Sequence, residues 1–190
     1  AEGYRSERLG KTLEDARLAA ANTASVELQC DVALSSAPFF LATGRNHDYL
    51  TLAEKQLADC ADLLPPAYLS GLWATKGMAH YSRGEQPQAA EALRKGLDLI
   101  DHVDPNRGIL FDQLRVAAEE YFSESLIILG FFDDAVEEKE RLIRNFDRVN
   151  KPFELAWRLL AHCELCALLG QYEELLENAT KIVEICELHG

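Results

Sequence analysis

The sequence predicts an all-α fold of stacked antiparallel helix pairs, and three features point to it. Glycines recur at Gly10, Gly44, Gly84, Gly130 and Gly170, spaced 34, 40, 46 and 40 residues apart. Periods of that size mark helical solenoids, in which no repeat buries its apolar face alone. Residues 72–99 read as two helices joined by a tight turn at Gly84, with Trp73 four residues before Gly77, Ala89 four before Leu93, and Ala89 twelve positions after Gly77. Small residues at Gly77 and Ala89 let the helices approach while Trp73 and Leu93 fill the space beside them. Ala135 follows Gly130 by five residues as Ala89 follows Gly84, so the hairpin repeats.

Taken in order, residues 11–21 carry Leu13, Ala16, Leu18 and Ala20 and form a short helix closed at Asn22-Thr23, the second half of a repeat whose first helix is weak or missing. Gly10 is expected to be the turn before it. Residues 24–43 form the next helix, which Pro38 should kink or break near Ser36 because proline lacks a backbone donor. Residues 48–63 are its partner, with Leu52, Ala53, Gln56, Leu57 and Cys60 on one face and Pro65-Pro66 stopping it. Residues 67–82 and 87–100 are the reference pair. Residues 102–108, with Pro105-Asn106 and Gly108, read as a loop. Residues 109–129 and 133–148 form the third full pair, and 153–169 and 173–188 the fourth. The helix over 153–169 has almost no polar face and should be covered on several sides. On the last helix Leu175, Leu176, Ala179, Ile182, Val183 and Cys186 share one face, leaving Ile185 and Leu188 outward as an edge for a further repeat or for a second copy of the chain. No linker, charge block or low-complexity tract divides the chain, so residues 1–190 read as one domain. An array opening on half a repeat reads as a piece of a longer protein.

The pattern Trp73-x3-Gly77-x2-His80 followed by Ala89-x3-Leu93 resembles the tetratricopeptide repeat (TPR), W-x2-L-G-x2-Y then A-x3-F. Lys76 stands in place of the Leu and His80 in place of the Tyr. The likeness is carried by residues 72–99, extends to 111–143 and 153–187, and is weak before Ala67. It implies a right-handed superhelix of about nine helices. A looser resemblance, resting on Lys151-Pro-Phe-Glu-Leu-Ala-Trp157 and Cys186-Glu-Leu-His-Gly190, is to the helical-repeat arms of large bacterial signalling proteins such as ATP-dependent transcriptional regulators and nucleotide cyclases. It implies a regulatory, partner-binding arm whose catalytic or DNA-binding module lies elsewhere.

Composition narrows the function. The formal net charge of -13 disfavours nucleic acid and anionic membranes, which reward clustered Lys and Arg. No run approaches the roughly 20 apolar residues of a membrane span, and the first residues lack the apolar core of a signal peptide, so a cytoplasmic protein is expected. Cys30, Cys60, Cys163, Cys166 and Cys186 suit reduced core thiols rather than a disulfide framework. Gly10-Lys11-Thr12 has the tail of a phosphate-binding loop, but Arg5 replaces the first glycine that loop requires. His162, Cys163, Cys166, Cys186 and His189 invite a metal reading. With a turn at Gly170, His162 lies roughly 12 Å and Cys186 roughly 23 Å along their helices, whereas ligands of one zinc sit within about 4 Å of each other. No metal, no cofactor and no catalytic set is therefore expected, and the chain is not read as an enzyme.

In proteins of the TPR kind the first helices of successive repeats line a concave groove. Aligning on the turn glycines carries its positions onto Asp31 and Leu34; Ala74, Met78 and Tyr81; Glu120, Glu124 and Ile127; and Trp157, Leu160, Glu164 and Ala167. The Lys and Asn with which chaperone-docking members hold a terminal carboxylate have no counterpart here, so an acidic peptide terminus would be repelled. The expected site is an acidic and aromatic groove of Met78, Tyr81, Glu120, Glu124, Trp157 and Glu164 that binds a basic protein or peptide segment. A small-molecule sensor with a pocket around Met78, Tyr81 and Trp157 is the alternative.

Overall fold

The computed structural model describes residues 3–100, 109–144 and 152–189. Among them the chain forms ten α-helices, one short 3-10 turn and no strand. They are α1 (Glu7–Ala21), α2 (Val26–Ser35), α3 (Ala37–Thr43), α4 (Asn46–Cys60), α5 (Pro66–Ser82), α6 (Gln86–Ile100), α7 (Ile109–Leu129), α8 (Phe132–Arg144), α9 (Pro152–Leu168) and α10 (Tyr172–His189). The loop expected over 102–108 and the end of the helix expected to run to residue 148 lie outside the described residues. The break expected near Ser36 is present: α2 ends at Ser35, and Pro38 sits in the first turn of α3, where its missing N–H is tolerated.

Four of the five glycines of the ladder make one capping motif. Gly44, Gly84, Gly130 and Gly170 have φ of 70°, 77°, 86° and 72°, a left-handed conformation that costs glycine nothing. In each case the N–H after the glycine bonds the carbonyl five residues back, as in Glu85 to His80 at 3.0 Å and Gln171 to Cys166 at 2.8 Å. The glycine's own N–H bonds the carbonyl three back, as in Gly84 to Tyr81 at 2.9 Å. This pair of bonds is the Schellman cap. The fifth N–H after the glycine then opens the next helix, from Tyr49, Ala89, Ala135 and Leu175. Gly10 departs from the expected turn. It lies inside α1, whose start is set by Ser6 accepting from the N–H of Leu9, and a Cβ there would fall 2.7 Å from the Phe39 ring. Its smallness serves packing, not a turn.

The contacts resolve into two compact units, residues 1–115 and 116–190. In the first, α5 packs along α6 and α4, with Leu72, Leu93 and Ala89 wholly buried. A Cβ on Gly77 would meet Leu93 Cγ at 2.4 Å and Leu93 N at 3.0 Å, the close approach that the spacing of residues 77 and 89 predicts. Tyr49 is the largest wholly buried side chain; it stacks on Phe40 with ring centroids 5.6 Å apart and its hydroxyl donates to Thr75 Oγ1 at 3.0 Å. The packed side of α4 is the expected face, with Ala53 buried and Leu52, Gln56, Leu57 and Cys60 half-buried, and the buried Tyr49 and Leu50 extend it toward the start of the helix.

In the second unit α9 packs along α10. Arg158 and Glu119 form a buried ion pair between α9 and α7 at 3.9 Å. The apolar edge of α10 follows expectation in part. Leu175, Ala179 and Ile182 are half-buried and Leu188 faces solvent as expected, whereas Ile185 is half-buried and Leu176, Val183 and Cys186 face solvent. Asn178 is buried on the packed side, hydrogen-bonded to His162 and to the Glu174 carbonyl.

Candidate functional site

Two side-chain constellations stand out, both within residues 116–190. The first joins α7 and α9. Glu120 and Glu124 lie one turn apart on α7, Glu164 projects from α9, and one carboxylate oxygen from each lies within 4.8 Å of the others. Glu124 is buried, Glu120 half-buried and Glu164 exposed. Burial pushes the Glu120 carboxyl up to about 9, helped by a hydrogen bond to Glu164 and by the charges of Glu164 and Glu124. Near neutral pH Glu120 therefore carries a proton shared toward Glu164. Burial and the same three carboxylates push the Tyr121 hydroxyl up to about 12.

Helical spacing places Trp157, Leu160 and Glu164 along one side of α9, and that side is open. Trp157 is 42% and Leu160 45% exposed, and Leu168 at the helix end is 50% exposed. The coverage expected on several sides of this helix falls on Arg158, Leu159, Ala161, His162, Cys163, Leu165 and Cys166. Of the residues expected to bind a partner, Glu120, Glu124 and Glu164 converge, and Trp157 lies on the same side of α9 as Glu164. Met78 and Tyr81 belong to the first unit. Met78 is 1% exposed, packed within α5, so it is a core residue and not a contact for a partner. Tyr81 is half-buried.

The second constellation joins α9, α10 and α8. His162 and Cys166, one turn apart on α9, meet Glu174 in the first turn of α10. His162 Nε2 lies 3.6 Å from Cys166 Sγ and 3.3 Å from Glu174 Oε1. The buried Lys139 on α8 donates to Glu174 Oε2 at 2.8 Å and to Gln171 Oε1. Asn178 Nδ2 donates to His162 Nδ1 at 3.0 Å, which leaves the ring proton on Nε2 facing Glu174. Burial, with Lys139 adding to it, holds His162 below its usual value. Cys186 and His189, set aside on distance in the sequence, are not part of this group. The third group comes from the opposite end of α10, four residues past the Gly170 turn, and Glu-x-x-x-Asn after a turn glycine was the available signal.

All five cysteines are free. Burial pushes the Cys30 thiol up to about 12 and also raises Cys163 and Cys166, which disfavours their thiolate forms. No helix among the described residues is long and apolar enough to cross a membrane. A cleft of about 670 Å³ in the first unit is lined by residues that include Leu13, Arg17, Phe39, Arg45 and Thr51, and neither Met78 nor Tyr81 borders it.

The architecture is that of TPR-like helical repeats, all-α hairpins joined at left-handed glycines. Two crystal structures of a Podosopora anserina kinesin-light-chain candidate with nearly identical TPR-like repeats share it. One aligns with a TM-score of 0.63 at 16% identity, covering 94% of this chain and 85% of that one. The other has a TM-score of 0.61 at 16% identity, covering 94% and 86%. At that identity the likeness shows the fold alone. Neither a protein-family model nor a curated protein matches the chain.

Proposed function

We propose that the chain is a protein-binding scaffold and that the Glu120–Glu124–Glu164 cluster, with Trp157 and Leu160 beside it, receives a partner segment carrying a basic side chain flanked by apolar ones. The observation that carries this reading is the juxtaposition of three carboxylates within 4.8 Å with a Trp and a Leu that are each more than 40% exposed. Crowded carboxylates raise one another's affinity for a proton and so favour an added positive charge, and an exposed Trp is the side chain most enriched at binding hot spots. An incoming Arg or Lys would pair with Glu124 and Glu164 and release the proton that Glu120 holds. The apolar flank would cover Trp157 and Leu160. In this reading the chain serves as a regulatory arm of a longer signalling protein. The small-molecule alternative loses Met78, whose side chain is fully packed in the core.

The test uses a Trp73→Phe background, in which Trp157 is the remaining tryptophan of the two, and a synthetic peptide alternating Arg and Leu. Titration should shift Trp157 emission. Glu124→Gln and Glu164→Gln should each weaken binding about 3- to 10-fold and flatten its salt dependence. Glu120→Gln should weaken it less, because that carboxyl is already neutral. Affinity and salt slope unchanged by Glu124→Gln and Glu164→Gln together would overturn the reading.

A further inference from the structure

We propose that His162 Nε2, Cys166 Sγ and Glu174 Oε1 form a site for a zinc ion, with water as the fourth ligand. A tetrahedral zinc with Zn–N and Zn–O near 2.05 Å and Zn–S near 2.3 Å sets its ligand atoms about 3.6 Å apart along N···S and about 3.3 Å apart along N···O. The structure holds the corresponding pairs at 3.6 Å and 3.3 Å. The third edge, Cys166 Sγ to the Glu174 carboxylate, is within 4.8 Å. It closes to the required length of about 3.6 Å by a small rotation of the Glu174 side chain, which is 41% exposed. The same exposure opens a path for the ion and for the water ligand.

The surroundings orient these groups as outer-shell partners orient metal ligands. The His162 side chain is 3% exposed, and Asn178 fixes its ring through Nδ1. Glu174 divides its two oxygens, Oε1 toward His162 and Oε2 toward Lys139. Zinc can therefore take Oε1 while the ammonium keeps Oε2, and Lys139 need not leave. One thiolate, one imidazole and one carboxylate suit borderline-soft Zn²⁺ better than Mg²⁺ or Ca²⁺, which demand oxygen ligands. On binding, the Cys166 thiol proton leaves to bulk water. The imidazole proton moves from Nε2 to Nδ1, and the Asn178 amide turns so that Oδ1 accepts it. The Glu174 carbonyl that Asn178 Nδ2 then releases keeps its place in the α-helical ladder.

Co²⁺ serves as the spectroscopic probe on the full chain under reducing conditions. About one equivalent should bind, giving a near-ultraviolet thiolate-to-metal charge-transfer band and the visible bands of a four-coordinate ion, both displaced by Zn²⁺. Cys166→Ser should abolish the charge-transfer band, whereas Cys163→Ser and Cys186→Ser should leave it. Asn178→Ala should weaken binding about 10-fold or more. Should Cys166→Ser lose its helical dichroism, Glu174→Gln at the exposed rim supplies the same test and must weaken Co²⁺ binding. Absence of the band, its persistence in folded Cys166→Ser, its loss with Cys186→Ser, or unchanged affinity in Glu174→Gln would overturn the proposal.

Discussion

Glu120 should make the protein less stable as pH rises, the reverse of the behaviour of ordinary ion-paired carboxylates. Its carboxyl titrates at about 9 in the folded chain against a reference of 4.5, because burial, Glu164 and Glu124 all oppose its ionisation. A group whose folded value is raised contributes its full stability below the unfolded value and loses it as pH climbs toward the folded one. The slope between the two is up to about 1.4 kcal/mol per pH unit. Glu120→Gln keeps the shape and a donor toward Glu164 while removing the titration. The variant should therefore gain stability on the wild type progressively, by up to about 4 kcal/mol between about pH 5 and about pH 8. Urea unfolding followed by far-ultraviolet circular dichroism at several pH values measures the difference, in which the other titrating groups cancel to first order. A stability difference that does not change with pH would show that Glu120 ionises freely and that the carboxylates are not crowded as described.

At the α5–α6 contact, Gly77→Ala should destabilise by about 1–3 kcal/mol, since its Cβ would press on the backbone nitrogen as well as the side chain of Leu93; a variant melting with the wild type would refute the close approach. Along α10, Leu176, Val183 and Leu188 are exposed, so the wild type should self-associate at high concentration in sedimentation. Leu176→Glu with Val183→Lys should then be monomeric with unchanged helicity, and a wild type that stays monomeric throughout would count against a self-association edge.

The sequence made the helices legible because each hairpin is written locally. A left-handed glycine closes one helix, and a small or apolar residue five positions later starts the packing of the next. Gly10 misled because spacing cannot distinguish a glycine needed for φ from one needed for room, and only the Phe39 ring in space separates them. Among the site residues, Glu120, Glu124 and Glu164 could be brought together on paper because repeat alignment fixes which turns of neighbouring first helices share a face. Met78 could not be assigned correctly the same way, since α5 is packed on several sides and its groove-facing register is filled by the protein itself. The Glu174 contact was hidden for another reason. His162 and Cys166 point toward α10, and which residue of α10 they meet depends on how far each lies from the turn.

The two constellations use opposite sides of one helix, and this explains the composition of α9. A helix apolar nearly all round is normally buried, yet its Trp157 and Leu160 remain open while His162, Leu165 and Cys166 are packed against α10. Burial therefore accounts for only one side of its hydrophobicity. On the packed side the polar atoms are held among one another, His162 by Asn178 and Glu174, and Glu174 by Lys139. Such a network locks α8, α9 and α10 in one register, because moving any one of them would leave a buried charge or ring nitrogen without its partner. The open side then rests on a rigid support, and binding there need not spend free energy on ordering the helix that presents Trp157. A zinc ion at His162, Cys166 and Glu174 would strengthen that support without touching the face that meets the partner. Metal and partner would accordingly reinforce each other through rigidity alone, with no requirement that either change the other's contacts.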